Sequence, residues 1–280
     1  MTVGMKSREL TIHSPTLAAH VEGTRLSLPQ VTLCAVTSVN VKATLQALHK
    51  CLDQVSFGGC KLLTDARVTS SHPEISVEPI SRLESSRDYS NFMLRNLADH
   101  VDTSHCLVVQ WDGYLLDARQ WQPEFLQYDY IGATWPQFND GHDVGNGGFS
   151  LRSRKLIEAC RHPSFAGDHP EDVAIGRTNR HWLESQGLTF APRHLADAFA
   201  AERTGRIGAA FGFHGIFNMP TAIGVDAFWE VYRGLDDRST LANDFGSILK
   251  DVRGGSQPVS RSARMVIDRV VEPLQRKVRR

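Results

Sequence analysis

The segment that decides the fold begins with residues 31–36, Val-Thr-Leu-Cys-Ala-Val, an apolar and partly β-branched run without polar alternation. Such a run predicts a strand that is buried on both faces. Residues 41–54 repeat apolar side chains at three- and four-residue spacing, which predicts an amphipathic helix, and residues 60–64, Cys-Lys-Leu-Leu-Thr, predict a second strand. Strand, helix and strand in this order predict a right-handed parallel unit, whose ligands gather beyond the carboxyl ends of its strands.

The alternation of strands and helices continues downstream. Residues 75–80 and 106–110 predict further strands, with a helix between them over residues 89–100, and a longer helix is predicted from residue 171 to about residue 186. A chain of 280 residues is long for one core and short for two independent domains. We therefore expect a single two-lobed α/β unit.

Charge and composition exclude several classes of protein. Lys and Arg total 31, as do Asp and Glu, so no overall positive field would gather nucleic acid. No run approaches the roughly 18 apolar residues of a membrane span, and the polar first residues lack the apolar segment of a signal peptide. We expect a cytoplasmic protein. Its five cysteines are scattered and never spaced as Cys-x-x-Cys, which argues against a disulfide framework or a zinc knuckle.

Residues 261–280 differ in character from the rest of the chain. They contain seven Arg or Lys and two acids, a net charge of +5. The apolar residues of this segment fall on one helical face: Val266, Ile267, Val270, Val271, Leu274 and Val278. The pattern predicts a basic amphipathic helix, which can make a peripheral contact with an anionic membrane. The alternative is a terminal helix that docks on its own domain.

Polar side chains follow the predicted strands where a ligand would bind. Thr37 and Asn40 follow the first strand, and Asp65 follows the second. The strand at residues 106–110 leads into the loop Gln110-Trp111-Asp112-Gly113, which places an acid at the same edge of the sheet. Capping is the alternative role for a single acid at such a position.

Glycines dominate residues 144–154, Val-Gly-Asn-Gly-Gly-Phe-Ser-Leu-Arg-Ser-Arg. Glycine lets the backbone approach a ligand where a Cβ atom would clash, and a helix-compatible run follows at once. The segment predicts a tight loop leading into a helix, which offers backbone N–H groups to an anionic or polyhydroxyl ligand. An ordinary glycine-rich turn is the alternative.

These polar groups suit group transfer from a metal-bound diphosphate. Asp112 is a hard oxygen ligand for Mg²⁺ or Mn²⁺, and Mn²⁺ tolerates the neutral imidazole of His214, which is flanked by glycine in Phe-Gly-Phe-His-Gly. Glu171 or Asp172 could accept the proton of an attacking hydroxyl. Capping a helix start is the alternative role for this acid pair, and a buried structural role is the alternative for His214.

A set of short motifs resembles a bacterial family of glycosyltransferases of the GT-A fold, formerly described as a domain of unknown function. The motifs extend over residues 31–218: Ala-Val-Thr-Ser-Val-Asn, Val-Val-Gln-Trp-Asp-Gly, Tyr-Asp-Tyr-Ile-Gly, Gly-Asn-Gly-Gly-Phe-Ser, Pro-Glu-Asp-Val-Ala-Ile and Phe-Gly-Phe-His-Gly. The resemblance implies a GT-A-like single Rossmann-type mixed sheet flanked by helices. It also implies a nucleotide-sugar donor, a divalent metal, and a glycan or lipid-linked acceptor in surface polysaccharide synthesis.

We expect four parts in the chain, and the resemblance supplies the roles of the second and the third. Residues 1–30 would be a leader to which no order is assigned, and residues 31–120 the half that binds the nucleotide-sugar. Residues 121–220 would form the half that binds the donor sugar and the acceptor, and residues 221–280 a C-terminal helical extension with the basic tail.

The resemblance also gives the site residues their roles. Gln110-Trp111-Asp112 occupies the place of the Asp-x-Asp motif, so Asp112 becomes the first metal ligand, while Gln110 departs from the pattern and brings no charge. His214 resembles the late histidine that completes the metal site, and Asp172, with Glu171 beside it, resembles the base of inverting transferases. Residues implied to contact the nucleotide or donor sugar are Thr37, Asn40, Asp65, Tyr89, Gln110, Trp111, Asn146, Gly147 and Gly148. The glycine loop then becomes a specificity element against the donor sugar, for which a UDP-sugar is the leading candidate.

Two alternatives to a glycosyltransferase remain. A sugar-phosphate nucleotidyltransferase would also use metal-bound phosphates, but residues 37–44 lack the glycines of its usual loop. A non-catalytic nucleotide- or glycan-binding module on the same fold is favoured by Gln110.

Overall fold

The computed structural model describes the backbone of residues 25–278 and the side chains of residues 25–271. The strands in this range are β1 (Leu26–Val36), β2 (Val55–Thr64), β3 (Ile75–Pro79), β4 (His105–Val108), β5 (Gly113–Leu115), β6 (Tyr130–Ile131), β7 (Ser150–Ser153), β8 (Ala200–Ala201) and β9 (Gly212–His214). Six of them form the main sheet, in the order β3-β2-β1-β4-β7-β6, and three form a small sheet, in the order β5-β9-β8.

Helices flank the main sheet and form the C-terminal region. The α-helices are α1 (Val41–Leu52), α2 (Ser86–Arg95), α3 (Arg154–Ala159), α4 (Glu171–Val173), α5 (Arg180–Ser185), α6 (Arg193–Phe199), α7 (Met219–Ile223), α8 (Val225–Gly234), α9 (Phe245–Val252) and α10 (Pro258–Val278). Short 3-10 helices lie at Leu97–His100, Ala118–Gln120, Pro123–Gln127, Ile216–Asn218 and Ser239–Leu241. Within the described range, none of the helices combines the length and the apolar character needed to cross a membrane.

The main sheet confirms the predicted α/β class. β1 runs parallel to β2 and β4, and β2 runs parallel to β3, whereas β7 is antiparallel to both β4 and β6. The helix predicted over residues 41–54 is α1. The helix predicted over residues 89–100 is present as α2 and the 3-10 turn that follows it.

The predicted leader, residues 1–30, extends too far, because its residues 26–30 belong to β1. Leu26 and Leu28 already pair with Val55 and Phe57 of β2, and Leu28 is buried, so hydrogen bonding and apolar burial extend β1 towards the N-terminus. The rest of the predicted leader, residues 1–24, lies outside the described residues.

The two predicted halves share one sheet and one core. β6 and β7, from residues 121–220, continue the sheet beyond β4. The largest cluster of buried apolar side chains reaches from Leu28 in β1 to Met265 in α10. The boundary at residue 120 therefore separates proposed roles and does not separate two hydrophobic cores.

The single helix predicted from residue 171 to about residue 186 is wrong, because it is interrupted after α4. A π-helical turn covers Ala174–Thr178, and α5 begins only at Arg180. The Asn179 side chain stabilises the interruption: its amide donates to the carbonyl oxygens of Ala174 and Ala166, both at 2.9 Å. The Asn179 backbone N–H also donates to the Ala174 carbonyl, at 3.0 Å, so the backbone and side chain of one residue together hold the end of the π-helical turn.

The small sheet brings distant parts of the chain to the carboxyl end of β4. β5 pairs antiparallel with β9, so that Gly113 lies opposite His214, and β9 pairs in parallel with β8. Residues about 100 positions apart are thereby held side by side at the edge where the sequence predicts a ligand.

Candidate functional site

The loop after β4 is a tight turn that fixes Asp112. Gln110 and Gly113 exchange two backbone hydrogen bonds, of 2.8 and 3.1 Å, so Trp111 and Asp112 occupy the apex of the turn. Both apical side chains are buried. Burial raises the pKa of Asp112 above its usual range, and the nearby imidazole of His214 partly offsets that rise.

His214 lies between two polar partners. Its Nδ1 is 3.3 Å from Oε1 of Glu202, and its Nε2 is 3.3 Å from Oε1 of Gln110. Burial alone would lower the pKa of His214, but the hydrogen bond and charge of Glu202, together with the charges of Asp112 and Asp172, raise it to about 9. The sequence predicted a neutral imidazole, whereas these surroundings favour the imidazolium ion at neutral pH when no other cation is bound.

Two glycines make room for the His214 ring. A Cβ atom at Gly113 would lie 2.6 Å from Cδ2 of His214, and a Cβ atom at Gly148 would overlap the imidazole itself. The glycine loop therefore packs directly against the predicted metal-binding histidine.

The neighbouring glycine of the loop touches the acid pair instead. The Gly147 N–H donates to Oδ2 of Asp172 at 3.3 Å, and a Cβ atom at Gly147 would lie 2.6 Å from Oε1 of Glu171. Asn146 braces the loop, since its side-chain oxygen accepts the Gly148 N–H at 3.0 Å. The three predicted loop residues thus lie between His214 and the acids.

Glu171 and Asp172 have different environments. Glu171 is buried and forms an ion pair with the fully buried Arg152, at 3.1 Å between Oε1 and Nη2. Burial, reinforced by the negative charge of Glu171, raises the pKa of Asp172 to about 6, although Arg152 opposes the rise. Asp172 is therefore the acid of the pair that can exchange a proton near neutral pH.

A cavity of about 410 Å³ lies beside this cluster, at the carboxyl ends of β1 and β4. Four of the predicted nucleotide-binding residues line it: Thr37, Tyr89, Gln110 and Trp111. The hydroxyl of Tyr89 accepts a hydrogen bond of 3.0 Å from the Gln110 amide, which joins the cavity wall to His214. A larger cavity of about 930 Å³ lies between α1, α7 and α8, and Trp111 is the predicted site residue that lines it.

Asn40 and Asp65 do not line the 410 Å³ cavity. The Asn40 side-chain oxygen accepts the backbone N–H groups of Asp236 and Asp237, both at 3.0 Å, and its amide donates to the Asp237 carbonyl at 2.7 Å. Asp65 lies 3.8 Å from the guanidinium of Arg82. Asn40 therefore has a structural role, because its hydrogen bonds connect the segment after α8 to the start of α1.

We predict that Asn40→Ala lowers the free energy of unfolding by about 3 to 5 kcal/mol, because three hydrogen bonds are lost and Ala must adopt the left-handed conformation. Asn40 has φ of 52°. Asn40→Gly loses the same hydrogen bonds without the backbone strain, so its loss should be about 1 kcal/mol smaller. Urea titrations of both variants measure this difference. Equal, near-zero losses would contradict the structural role.

Two residues of the cluster were not predicted from the sequence. Arg152 stands in the quoted glycine-rich segment, but nothing there indicated that it would be buried against Glu171. Glu202 lies in a charged segment without a motif, and only the parallel pairing of β8 with β9 brings it beside His214. Both are long-range contacts, which local sequence patterns do not encode.

Carboxylates and an imidazole are ligand types that Mn²⁺ accepts, and this cluster contains both. Glu202 contacts the His214 imidazole, and the negative charges of Asp112 and Asp172 also act on it, so carboxylates outnumber the imidazole at this buried site. His214 also directs Nδ1 to a carboxylate, an arrangement that orients a histidine to bind a metal through Nε2. Among the described residues, His142, His181 and Glu184 bring three ligand atoms within 4.8 Å of one another, whereas Asp112, Glu202 and His214 do not form such a group.

Comparison with known proteins gives a family and no activity. A search of curated proteins finds no match for the chain. A family profile described as "Protein of unknown function (DUF5672)" matches residues 74–214, which is half of the chain. This segment contains Tyr89, Gln110, Asp112, the glycine loop, the acid pair, Glu202 and, as its last residue, His214. The chain therefore belongs to the family described as Protein of unknown function (DUF5672).

Proposed function

We propose that the protein is an inverting glycosyltransferase that uses Mn²⁺ or Mg²⁺ and transfers a sugar from a nucleotide-sugar to an acceptor hydroxyl. The observation that carries this proposal is the convergence of two different acidic sites on one glycine loop. His214 and Gly113, the residue after Asp112, lie on the Gly148 side, and Asp172, with its raised pKa, lies on the Gly147 side. The proposed inverting transfer uses a cation at the diphosphate and a base at the acceptor hydroxyl.

The fold supports the proposal at a coarser level. We assign the mixed sheet to a GT-A-like arrangement because parallel strands β3-β2-β1-β4 are followed by antiparallel β7. The loop with Asp112 follows the last parallel strand, where ligands of such sheets bind. The 410 Å³ cavity at that edge would receive the nucleotide, with Thr37, Tyr89 and Trp111 in its wall.

In this proposal Asp172 takes the proton of the acceptor hydroxyl. The hydroxyl oxygen attacks the anomeric carbon as the bond from that carbon to the diphosphate oxygen breaks, and the bonding electrons leave with the nucleoside diphosphate. The Gly147 N–H holds the Asp172 carboxylate, and Arg152 neutralises Glu171, so a single base faces the acceptor. Bound through Asp112 and His214, a divalent cation would supply neutralisation of the charge that grows on the diphosphate.

We propose a UDP-sugar as the donor and a glycan or lipid-linked glycan of a surface polysaccharide as the acceptor. Both assignments rest on the resemblance of the motifs. The shared DUF5672 family adds no activity to them.

Calorimetry of UDP binding with and without Mn²⁺ tests the proposal. The parent should bind UDP more tightly with Mn²⁺, and Asp112→Ala should abolish the increase while leaving the weaker, metal-free affinity, because Asp112 binds only the cation. Asp117→Ala is a matched control, since Asp117 follows β5 and pairs with Arg119. An undiminished Mn²⁺ effect in Asp112→Ala would contradict the assignment of Asp112.

The non-catalytic module remains the second candidate, and Gln110 favours it. The uncharged Gln110 amide is occupied by Tyr89 and His214, so it adds nothing to the negative charge that would hold a metal. Metal-dependent UDP binding without release of UDP from any UDP-sugar, with or without acceptor, would favour the module.

A further inference from the structure

The C-terminal helix α10 is attached to the protein by one face and carries a second, apolar face that is exposed. The attached face contains the buried residues Arg261, Met265 and Asp268, at spacings of four and three residues. Arg261 pairs with Asp226 of α8, and the hydroxyl of Tyr232 donates to Asp268 at 3.0 Å. Residues at such spacings share one side of a helix, so this stripe holds α10 on its own domain.

The exposed face is the one that the sequence predicted to be apolar. The described residues contain seven exposed large hydrophobic side chains, and five of them lie on α10: Val259, Val266, Ile267, Val270 and Val271. Val270 is 61% exposed, whereas Met265 is completely buried. α10 is thus already docked on the domain through a different stripe of side chains. The stripe of valine and isoleucine is left without a partner within the described residues.

The C-terminal segment and the rest of the chain carry net charges of opposite sign. Residues 261–280 carry a net charge of +5, so the other 260 residues carry −5, because the chain as a whole is neutral. The sequence of the last five residues contains Arg276, Lys277, Arg279 and Arg280. An anionic surface would attract this end of the protein and repel the remainder, which would orient the molecule as well as bind it.

The same charge opposes a second copy of the chain as the occupant. A symmetric dimer places the same patch of both subunits face to face. Pairing through α10 would therefore bring two segments of +5 together, whereas an anionic lipid surface complements both the apolar stripe and its basic flanks.

We propose that the face of α10 formed by Val259, Val266, Ile267, Val270 and Val271 binds the surface of an anionic phospholipid membrane, with the helix lying in the plane of the interface. α10 presents an apolar face, and the sequence of this end of the chain is basic, which is the combination that inserts apolar side chains at the headgroup boundary while Arg and Lys contact phosphates. This inference does not depend on the proposed enzymatic activity.

Vesicle flotation of the full-length chain tests the inference. The parent should float with vesicles of phosphatidylcholine and phosphatidylglycerol, should not float with pure phosphatidylcholine, and should be released by added salt. Val266→Asp combined with Val270→Asp should weaken binding to the anionic vesicles by about tenfold or more, because two charges would enter the headgroup boundary. Both positions are exposed, so the fold should be retained.

The matched control is a variant that adds the same two negative charges outside α10. Ala242→Asp combined with Ser247→Asp adds two negative charges at exposed positions next to and within α9. This variant should bind the anionic vesicles nearly as well as the parent. The inference is overturned if the parent fails to bind anionic vesicles or if the control loses as much binding as the α10 variant. It is also overturned if light scattering reveals a dimer that Val266→Asp and Val270→Asp dissociate.

Discussion

Asp172→Asn is expected to reduce sugar transfer by about a thousandfold, because the amide cannot accept the proton of the acceptor hydroxyl. UDP binding should be unchanged, since Asp172 lies on the Gly147 side of the loop and does not line the 410 Å³ cavity. Initial rates of UDP release with acceptor, measured beside UDP calorimetry, separate the two effects. Asp168→Asn is the matched control, because Asp168 is an exposed acid just before α4 and pairs with Arg87.

The pH dependence of transfer should carry the signature of Asp172. A base whose pKa is raised to about 6 is deprotonated above that pH and protonated below it. The rate should therefore be half-maximal near pH 6, level off at higher pH, and fall about tenfold for each pH unit well below the pKa. A rate that stays constant down to pH 4.5 would remove Asp172 from the role of base.

Glu171→Gln should move this acid limb to lower pH. The negative charge of Glu171 raises the pKa of Asp172, and its ion pair neutralises Arg152, whose positive charge lowers that pKa. Removing the Glu171 charge withdraws the first effect and strengthens the second. An acid limb that is unmoved or shifts to higher pH would contradict the division of roles between the two acids.

The sequence predicted the parts of the fold that depend on local periodicity. The apolar run at residues 31–36 lies in β1, at the buried centre of the sheet, because a strand buried on both faces has apolar residues at successive positions. The amphipathic spacing at residues 41–54 corresponds to α1, because a helix buried on one face repeats apolar residues every three or four positions. Strand order also placed Thr37 and the loop with Asp112 at one edge, where the cavity of about 410 Å³ is found.

The remaining features depend on contacts between distant residues. The Asn40 side chain is satisfied by Asp236 and Asp237, about 200 residues away, so a residue nominated for the nucleotide has a structural task. Glu202 reaches His214 only through the pairing of β8 with β9, and the Asn179 side chain joins the end of the π-helical turn to Ala166, 13 residues away. None of these contacts leaves a periodic or motif-like trace in the sequence.

The apolar stripe of the C-terminal tail was recognised from its spacing, but its partner was not. The sequence left two roles open for this helix, docking on its own domain or contact with a membrane. The structure shows that the helix has one face for docking and another that is exposed. α10 uses the stripe of Met265 for docking and leaves the stripe of Val270 exposed. Deleting the helix would therefore remove core contacts together with the exposed face, which makes point variants the sharper test.

Gly147→Ala and Gly148→Ala should have different consequences, although the two glycines are adjacent. A Cβ atom at Gly148 would overlap the His214 imidazole, so Gly148→Ala should displace the metal ligand and lose the Mn²⁺-dependent part of UDP affinity. A Cβ atom at Gly147 would lie 2.6 Å from Oε1 of Glu171 and 3.1 Å from Cβ of Asp172. Gly147→Ala should therefore reduce transfer by about a hundredfold through misplacement of the base while UDP affinity with Mn²⁺ is kept.

Gly59→Ala is the matched control for both variants, because the atom nearest to a Cβ there is Oγ1 of Thr32, at 3.9 Å. It should leave UDP affinity and transfer unchanged, whereas both loop variants should also lose about 1 to 3 kcal/mol of stability from overpacking. If Gly147→Ala abolished UDP binding, with and without Mn²⁺, the loop would be a phosphate-binding element. Retained UDP binding in Gly147→Ala, together with lost transfer, would make it the element that holds the base against the donor sugar.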